Sequence, residues 1–167
     1  QGPEATTVCA GRRHLPGPDR SERNARVQPI MTKAELEAFL DSDFPQIGGR
    51  EGGYSITDVS PGAATMRLDA SDRHLRPGGT VSGPSLFALA DLAAYVAILA
   101  HIGPVALAVT TNLSINFLRK PEPGGILGEA RLLKLGKRLA VVDIALTNAA
   151  DEALVAHAVA TYSIPPR

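Results

Sequence analysis

The stretch Pro84–His101 constrains the fold more than any other part of this chain. It would form a helix that is apolar on every side, and Asp91 is its only carboxylate. A helix without a polar face is buried, and a buried ionisable group must be offset by hydrogen bonds or retained for a function. Gly83 is typical of a helix start and Gly103 of a helix end. Asp91 would lie about two turns inside, near the positive end of the helix dipole, so we look for chemistry there.

The composition favours one globular domain that binds neither nucleic acid nor a membrane surface. The 167 residues suffice for one core. Basic and acidic residues number 17 each, so no net field attracts a polyanion. Aromatic residues make up 4% of the chain and are not interleaved with basic ones as in single-strand-binding proteins. Cys9 is the only cysteine, which excludes an intramolecular disulfide and a cysteine-based metal cluster and fits a reducing cytoplasm.

The apolar stretch is not predicted to cross a membrane. It is too short for a span, contains Asp91 and is followed by strand-like sequence rather than by a basic flank. The N-terminal residues also lack the apolar core of a signal peptide. We therefore expect a soluble, cytoplasmic protein.

Two regions are expected along the chain. Residues 1–30 are rich in Arg, Pro, Gly and polar residues without an apolar period, which predicts a disordered N-terminal extension. Met31 resembles a natural start, because Thr32 and Glu35 would form a capping box ahead of a short amphipathic helix. We therefore expect the folded domain to span residues 31–167.

Strand-like segments surround the apolar stretch. Two of them flank the turn Ser60-Pro61-Gly62 as a hairpin, and four more follow the helix. The predicted strands are Tyr54–Val59, Ala63–Leu68, Ala106–Leu118, Gly125–Leu135, Arg138–Asn148 and Ala153–Ile164. Their short connections favour antiparallel neighbours. This order predicts an α+β domain in which an antiparallel sheet of about six strands wraps one long central helix. One sheet face would not cover a helix that is apolar all round, so a second subunit is a plausible cover.

Two segments carry a resemblance to a known family. The chain reads H-L-R-P-G-G-T-V-S-G-P-S-L-F-A-L-A-D from His74 to Asp91 and V-T-T-N-L-S-I-N-F-L from Val109 to Leu118. These segments resemble the hotdog-fold acyl-CoA thioesterases, in particular the branch related to phenylacetic acid degradation (PaaI-like). That family shows H-x-N-x-x-G-x-x-H-G-G before an Asp on the central helix. The resemblance covers about residues 50–165 and implies the hotdog fold.

The resemblance also implies three catalytic residues. Asp91 would be the catalytic carboxylate, acting on the thioester directly or through a water. The backbone N–H of Gly83 would polarise the thioester carbonyl, as unpaired N–H groups at a helix N-terminus can. Thr110 matches the family's Ser/Thr on the strand facing the helix, which holds the water or substrate. Each has a structural alternative: a hydrogen-bonded core Asp, a glycine that starts the helix, and a β-branched strand former.

The chain departs from the family pattern at three positions. Ser82 stands where the family has His, Pro84 replaces the second glycine, and Arg76 replaces an Asn. Pro84 has no N–H to donate, which leaves Gly83 and Ser85 as backbone donors. Ser82 could donate to a substrate or cap the helix. Arg76 could bind an anionic acyl group or a phosphate, or be a solvated loop residue.

Basic side chains at strand ends could meet the phosphates of coenzyme A, or simply be solvated. These are Arg119, Lys120, Lys134, Lys137 and Arg138. His101 and His157 have no visible partner in the sequence and are expected to be structural. The helix C-terminus favours a cationic His101.

The sequence thus predicts hydrolysis of an acyl-CoA thioester to a free acid and coenzyme A, without a metal or a further cofactor. Coenzyme A itself is part of the substrate. We expect a dimer or a dimer of dimers, with subunits joined edge to edge and the site at the interface. Gly83 and Asp91 would come from one subunit and Thr110 from the other. The alternatives are an acyl-CoA-binding protein without turnover, and a structural partner protein without affinity for coenzyme A.

Overall fold

A computed structural model describes residues 27–45 and 52–166 and confirms the predicted α+β hotdog fold. One long helix packs against a six-stranded antiparallel sheet. The elements, in chain order, are α1 (Lys33–Asp43), β1 (Tyr54–Ser60), β2 (Ala63–Asp69), α2 (Gly83–Ile102), β3 (Val109–Phe117), β4 (Gly125–Leu135), β5 (Leu139–Asn148) and β6 (Leu154–Ser163). Predicted and observed bounds agree within one residue, except that β3 begins three residues late. The reason is a turn before it, in which Ala108 N–H donates to Val105 O over 3.1 Å.

The central helix α2 begins and ends at the residues that the sequence indicates. Ser82 is the N-cap and its hydroxyl accepts from Ser85 N–H, while Pro84 occupies the first turn. The helix ends at Gly103, whose φ of 91° lies in the left-handed region that favours glycine.

The strand order in the sheet is β1-β2-β4-β5-β6-β3, with every neighbouring pair antiparallel. Alternate residues of the strands face α2 and are buried, among them Met66, Ile126, Ile144 and Ala160. The prediction that consecutive strands are neighbours is wrong for β3 and β4, which lie three strand spacings apart. Those spacings amount to roughly 14 Å, and the seven residues between the strands reach about 23 Å when extended. The segment between β3 and β4 is therefore long enough to pass β6 and β5 and join the two strands.

Helix α2 has 20 residues and is long and apolar enough to span a membrane by length and composition alone. The expectation that it is too short is therefore wrong. The helix is instead mostly buried within the fold. One stripe stays uncovered: Pro84 and Phe87 are exposed, and Ala88 and Asp91 are half-buried. These positions share one helix face. The prediction that the sheet would leave part of the helix uncovered therefore holds for this stripe only.

The short helix α1 begins as predicted. Thr32 and Glu35 form both hydrogen bonds of a capping box, and the bonds from the Thr32 backbone and side chain lower the pKa of Glu35. Part of the predicted extension packs on the domain, because Val27 O accepts from Gly62 N–H over 3.1 Å and Ile30 N–H donates to Ala100 O over 2.7 Å. The ordered domain thus begins before Met31. The rest of that extension, residues 1–26 with Cys9, lies outside the described residues.

Candidate active site

Two hydroxyl groups hold the Asp91 carboxylate on the uncovered stripe of α2. Thr110 Oγ1 donates to Asp91 Oδ1 over 2.7 Å. The Tyr162 hydroxyl donates to the same oxygen over 2.6 Å and lies 2.9 Å from the Asp91 backbone oxygen. Thr110 is the second residue of β3 and pairs with Tyr162 of β6 in the sheet, so the register sets both hydroxyls side by side. The result is an oriented carboxylate next to the open side of the helix.

This geometry corrects one prediction about the site. Thr110 was expected to reach Asp91 from a second subunit, but the hydrogen bond joins residues of one chain. The physical reason is the position of β3, which runs along α2 at the edge of the same sheet. Thr110 and Asp91 therefore contact each other within one subunit, and their joint role in catalysis stays a prediction.

Tyr162 is a site residue that sequence reasoning missed. Its side chain is buried, with 2% of its surface exposed. Burial raises the pKa of Tyr162 far above its ordinary value of 10.0, and the negative charge of Asp91 raises it further. The hydroxyl therefore remains a proton donor at neutral pH. The available signal was a polar-tipped aromatic at an inward position of an otherwise alanine-rich strand.

The residues at the start of α2 are mostly engaged with one another. Ser82 Oγ and Ser85 Oγ lie 2.9 Å apart, and Ser85 Oγ donates to His74 O over 3.2 Å. Ser85 N–H points to Ser82 Oγ at 3.4 Å. Ser82 thus caps the helix. Within the described residues no carbonyl accepts from Gly83 N–H, so this N–H remains available to a ligand.

Gly83 and Asp91 of one chain lie too far apart to contact the same small group. They are eight residues apart on α2, which corresponds to about 12 Å along the helix axis. Strand β3 runs alongside α2 in the opposite direction, since Thr110 contacts Asp91 while the Phe117 ring packs beside Gly83. In one chain, the Asp91 carboxylate and the Gly83 N–H therefore lie at two separate places along α2.

A cleft of about 400 Å³ opens beside Gly83. Three cations that the sequence analysis singled out line it, namely Arg76, Arg119 and Lys120. Arg76 is held by its Nε, which donates to Thr80 Oγ1 over 2.8 Å. None of the three cations forms an ion pair with another described residue. The walls between them are apolar and comprise Val81, Leu86, Phe117, Leu118 and Pro121.

The other predicted cations are not brought to this cleft. Lys137 and Arg138 line a separate cavity of about 650 Å³ at the far end of α2, next to Ile102. Lys134 lies on the exposed end of β4 and lines neither cavity. The basic residues thus form two groups in one chain, roughly a helix length of 30 Å apart.

The two remaining histidines have partners that the sequence did not reveal. His101 is buried, accepts from Gly62 N–H at Nε2 over 2.9 Å and directs Nδ1 at Ala97 O over 2.7 Å. His157 Nε2 lies 2.8 Å from Asp143 Oδ1 on the outer face of the sheet. Both contacts are structural, as expected.

Grouped His, Cys, Asp and Glu side chains are the usual protein ligands of metal ions. Across residues 27–45 and 52–166, no three His, Cys, Asp or Glu side chains are grouped to hold one.

An antiparallel sheet around one helix, with a helix-borne carboxylate and a free N–H at the helix start, defines the class of hotdog thioesterases, and comparisons with known proteins agree. The profile of the thioesterase superfamily matches residues 78–155. A candidate thioesterase from a Silicibacter species is 55% identical, with a TM-score of 0.76 over 84% of this chain and 96% of that chain. This chain belongs to the thioesterase superfamily.

Two further solved structures are similar to this chain. A candidate thioesterase from Ralstonia eutropha, related to phenylacetic acid degradation, is 30% identical, with a TM-score of 0.67 over 77% of this chain and 98% of that chain. A Streptococcus mutans protein solved with bound acetyl-CoA is 24% identical, with a TM-score of 0.61 over 68% of this chain and 90% of that chain. The first agrees with the PaaI-like branch, and the second shows a shared fold.

Proposed function

We propose that this protein hydrolyses an acyl-CoA thioester to a free acid and coenzyme A, with Asp91 as the catalytic carboxylate. The observation that carries the proposal is the Asp91 carboxylate, which two hydroxyls orient on the one uncovered stripe of a buried helix. Membership of the thioesterase superfamily supports the reaction class. The acetyl-CoA bound to the Streptococcus mutans protein supports coenzyme A as the thiol that the proposed substrate carries.

Asp91 can act in two ways. As a general base it takes a proton from water while the water oxygen attacks the thioester carbonyl carbon. As a nucleophile its own oxygen attacks the carbonyl, releases the thiolate and forms an anhydride that water then cleaves. In both routes the carbonyl oxygen becomes an oxyanion that accepts a hydrogen bond from Gly83 N–H. The carbon–sulfur bond then breaks, and the coenzyme A thiolate takes up a proton.

The proposal requires a second copy of the chain to complete the site. Gly83 and Asp91 lie about 12 Å apart along α2, and Phe87 lies midway between them on the uncovered stripe. A two-fold axis at Phe87 would exchange the two positions and bring Gly83 of one copy to Asp91 of the other. Several apolar side chains along this side are exposed, as such an interface requires, namely Phe87, Leu107, Val109, Phe117 and Leu118.

Strand β3 supports the same arrangement. It lies at the edge of the sheet with an unpaired side, and the midpoint between Thr110 and Phe117 falls at its centre. Antiparallel pairing of two β3 strands about that axis would join the sheets edge to edge. That two such dimers associate stays a prediction. Binding of coenzyme A phosphates by Lys137 and Arg138 in that tetramer also stays a prediction. We further propose a cytoplasmic enzyme.

The cleft beside Gly83 is proposed as the binding site of coenzyme A. Its three cations carry no partner among the described residues, and guanidinium and ammonium groups recognise phosphates. The apolar walls between Val81 and Phe117 would accept the pantetheine arm. Arg76, Arg119 and Lys120 are therefore the substrate-binding residues of this proposal.

The test is release of free thiol from a panel of short, medium, long and aryl acyl-CoA esters. Asp91→Asn removes the charge and is expected to lower turnover on the order of 10³-fold while the fold and oligomer remain intact. Asp143→Asn is the matched control, because this carboxylate lies on the outer face of the sheet with His157. Near-normal turnover in Asp91→Asn would refute the assignment.

One observation favours a second candidate function, a protein that binds acyl-CoA without cleaving it. Pro84 has no N–H, and Ser85 N–H is directed at Ser82 Oγ, so among the described residues at the start of α2 Gly83 alone offers an unpaired backbone donor. Calorimetric binding of coenzyme A esters together with no thiol release from any ester would establish that function.

A further inference from the structure

The hydrogen bonds around Asp91 distinguish its two carboxylate oxygens. Oδ1 accepts from Thr110 over 2.7 Å and from Tyr162 over 2.6 Å. Among the described residues no donor contacts Oδ2. Two donors on one oxygen fix the rotation of a carboxylate, because turning the group would break both bonds. The oxygen without a donor is then the one presented to a reactant.

Tyr162 is well suited to hold this position. Its ring is fixed against the Tyr95 ring, with centroids 6.3 Å apart and planes 25° apart. Its hydroxyl has one proton and two acceptors in reach, and the charged carboxylate at 2.6 Å is the stronger acceptor than the backbone oxygen at 2.9 Å. The raised pKa of Tyr162 keeps that proton in place over the pH range of catalysis.

Thr110 alone would hold the carboxylate less firmly. Its side chain is exposed on the edge strand β3, next to an irregularity in the β3–β6 pairing between Thr110 and Asn112. Tyr162 instead lies in β6, which is paired on both sides. Strand β6 therefore supplies a buried donor and the edge strand β3 an exposed one.

We infer that Tyr162 is a positioning residue that locks Asp91 Oδ1, so that Oδ2 is the oxygen that attacks the thioester or takes the proton of water. This inference rests on the proposed function and deepens it. In the general-base route the water proton passes to Oδ2 while both hydroxyls stay on Oδ1. In the nucleophilic route the new carbon–oxygen bond forms at Oδ2.

The kinetic test compares Tyr162→Phe with Tyr95→Phe. Both remove one buried hydroxyl from the same ring pair, but the Tyr95 hydroxyl donates to Ala106 O over 3.2 Å and not to Asp91. Tyr162→Phe is expected to lower kcat about 10- to 100-fold, as misplacement of a reacting group does, with KM nearly unchanged. Tyr95→Phe is expected to retain the kcat of the natural protein.

A pH readout separates positioning from a merely structural role. Loss of a donor to the ionised carboxylate disfavours its charged form. The acidic limb of the rate–pH profile should therefore move to higher pH by about one unit in Tyr162→Phe, and not in Tyr95→Phe. A Tyr162→Phe enzyme with natural kcat and an unmoved acidic limb would overturn the inference.

A measurement without turnover keeps this inference separable from the proposed function. The Asp91 carboxyl carbon can be followed by NMR during a pH titration and assigned by its loss in Asp91→Asn. Its midpoint should rise in Tyr162→Phe, and an equal midpoint would overturn the inference whether or not any ester is cleaved. If the midpoint rises while the natural protein cleaves no ester, the hydrogen-bond clamp stands and the proposed function fails.

Discussion

Asp91 and Gly83 illustrate what single residues reveal before a fold is known. An isolated carboxylate in an apolar stretch indicated a site without further information, because burial of a charge has to be offset. The roles of Gly83 and Thr110 came from family resemblance, since a glycine at a helix start or a threonine in a strand is otherwise unremarkable. Tyr162 was missed because its contact with Asp91 joins residues 71 positions apart.

Gly83 offers a prediction at the residue scale. A Cβ at this position would meet the Phe117 ring at 3.4 Å, an ordinary contact, and that ring is 54% exposed. Gly83→Val should therefore fold normally but fill the cleft at the oxyanion donor. We expect turnover to fall on the order of 100-fold, as for the loss of an oxyanion-hole donor. Thiol release and a thermal melt check this together, and natural turnover in a folded Gly83→Val protein would contradict the assigned role.

The predicted helices and strands agree closely with the observed ones, because neighbouring residues determine where each element begins, which period it has and where it ends. The capping box of α1, Gly103 at the end of α2 and the Ser60-Pro61-Gly62 turn are such signals. The position of β3 next to β6 is not a local property. It follows from which edge of the sheet can close around α2, so chain order alone misassigned its neighbours.

The contact between α2 and β4 allows a prediction at the element scale. A Cβ at Gly128 would lie 3.1 Å from both Leu89 Cγ and Leu146 Cδ2, so a methyl group there pushes the helix away from the sheet. Gly128→Ala is expected to lower the free energy of unfolding by about 1–3 kcal/mol, measured by urea denaturation. Gly83→Ala is the matched control and should change it by about 0.5 kcal/mol or less. Equal stability of the two variants would show that helix and sheet do not meet this closely.

At the scale of the whole molecule, one chain holds an oriented carboxylate and a separate N–H beside a basic cleft. The sequence predicts a site shared between two subunits with Thr110 and Asp91 on different ones, whereas the structure joins these two residues by a hydrogen bond within one chain. The division depends on the spacing of Gly83 and Asp91 along α2 and on the side of the sheet that β3 occupies. Both the spacing and the position of β3 become known only from the three-dimensional structure.

The measurement that tests this account most directly is activity in mixed oligomers. Asp91→Asn chains keep Gly83, and Gly83→Val chains keep Asp91, so a mixed dimer would contain one site with both groups intact. Random mixing makes half of the dimers mixed with one of two sites restored, which predicts about a quarter of the natural activity. Asp91→Asn mixed with Thr110→Val is the control and should be no more active than the two variants measured separately, since Asp91 and Thr110 belong to the same half-site. Mixed dimers, verified by two affinity tags, that are no more active than either variant alone would contradict the account.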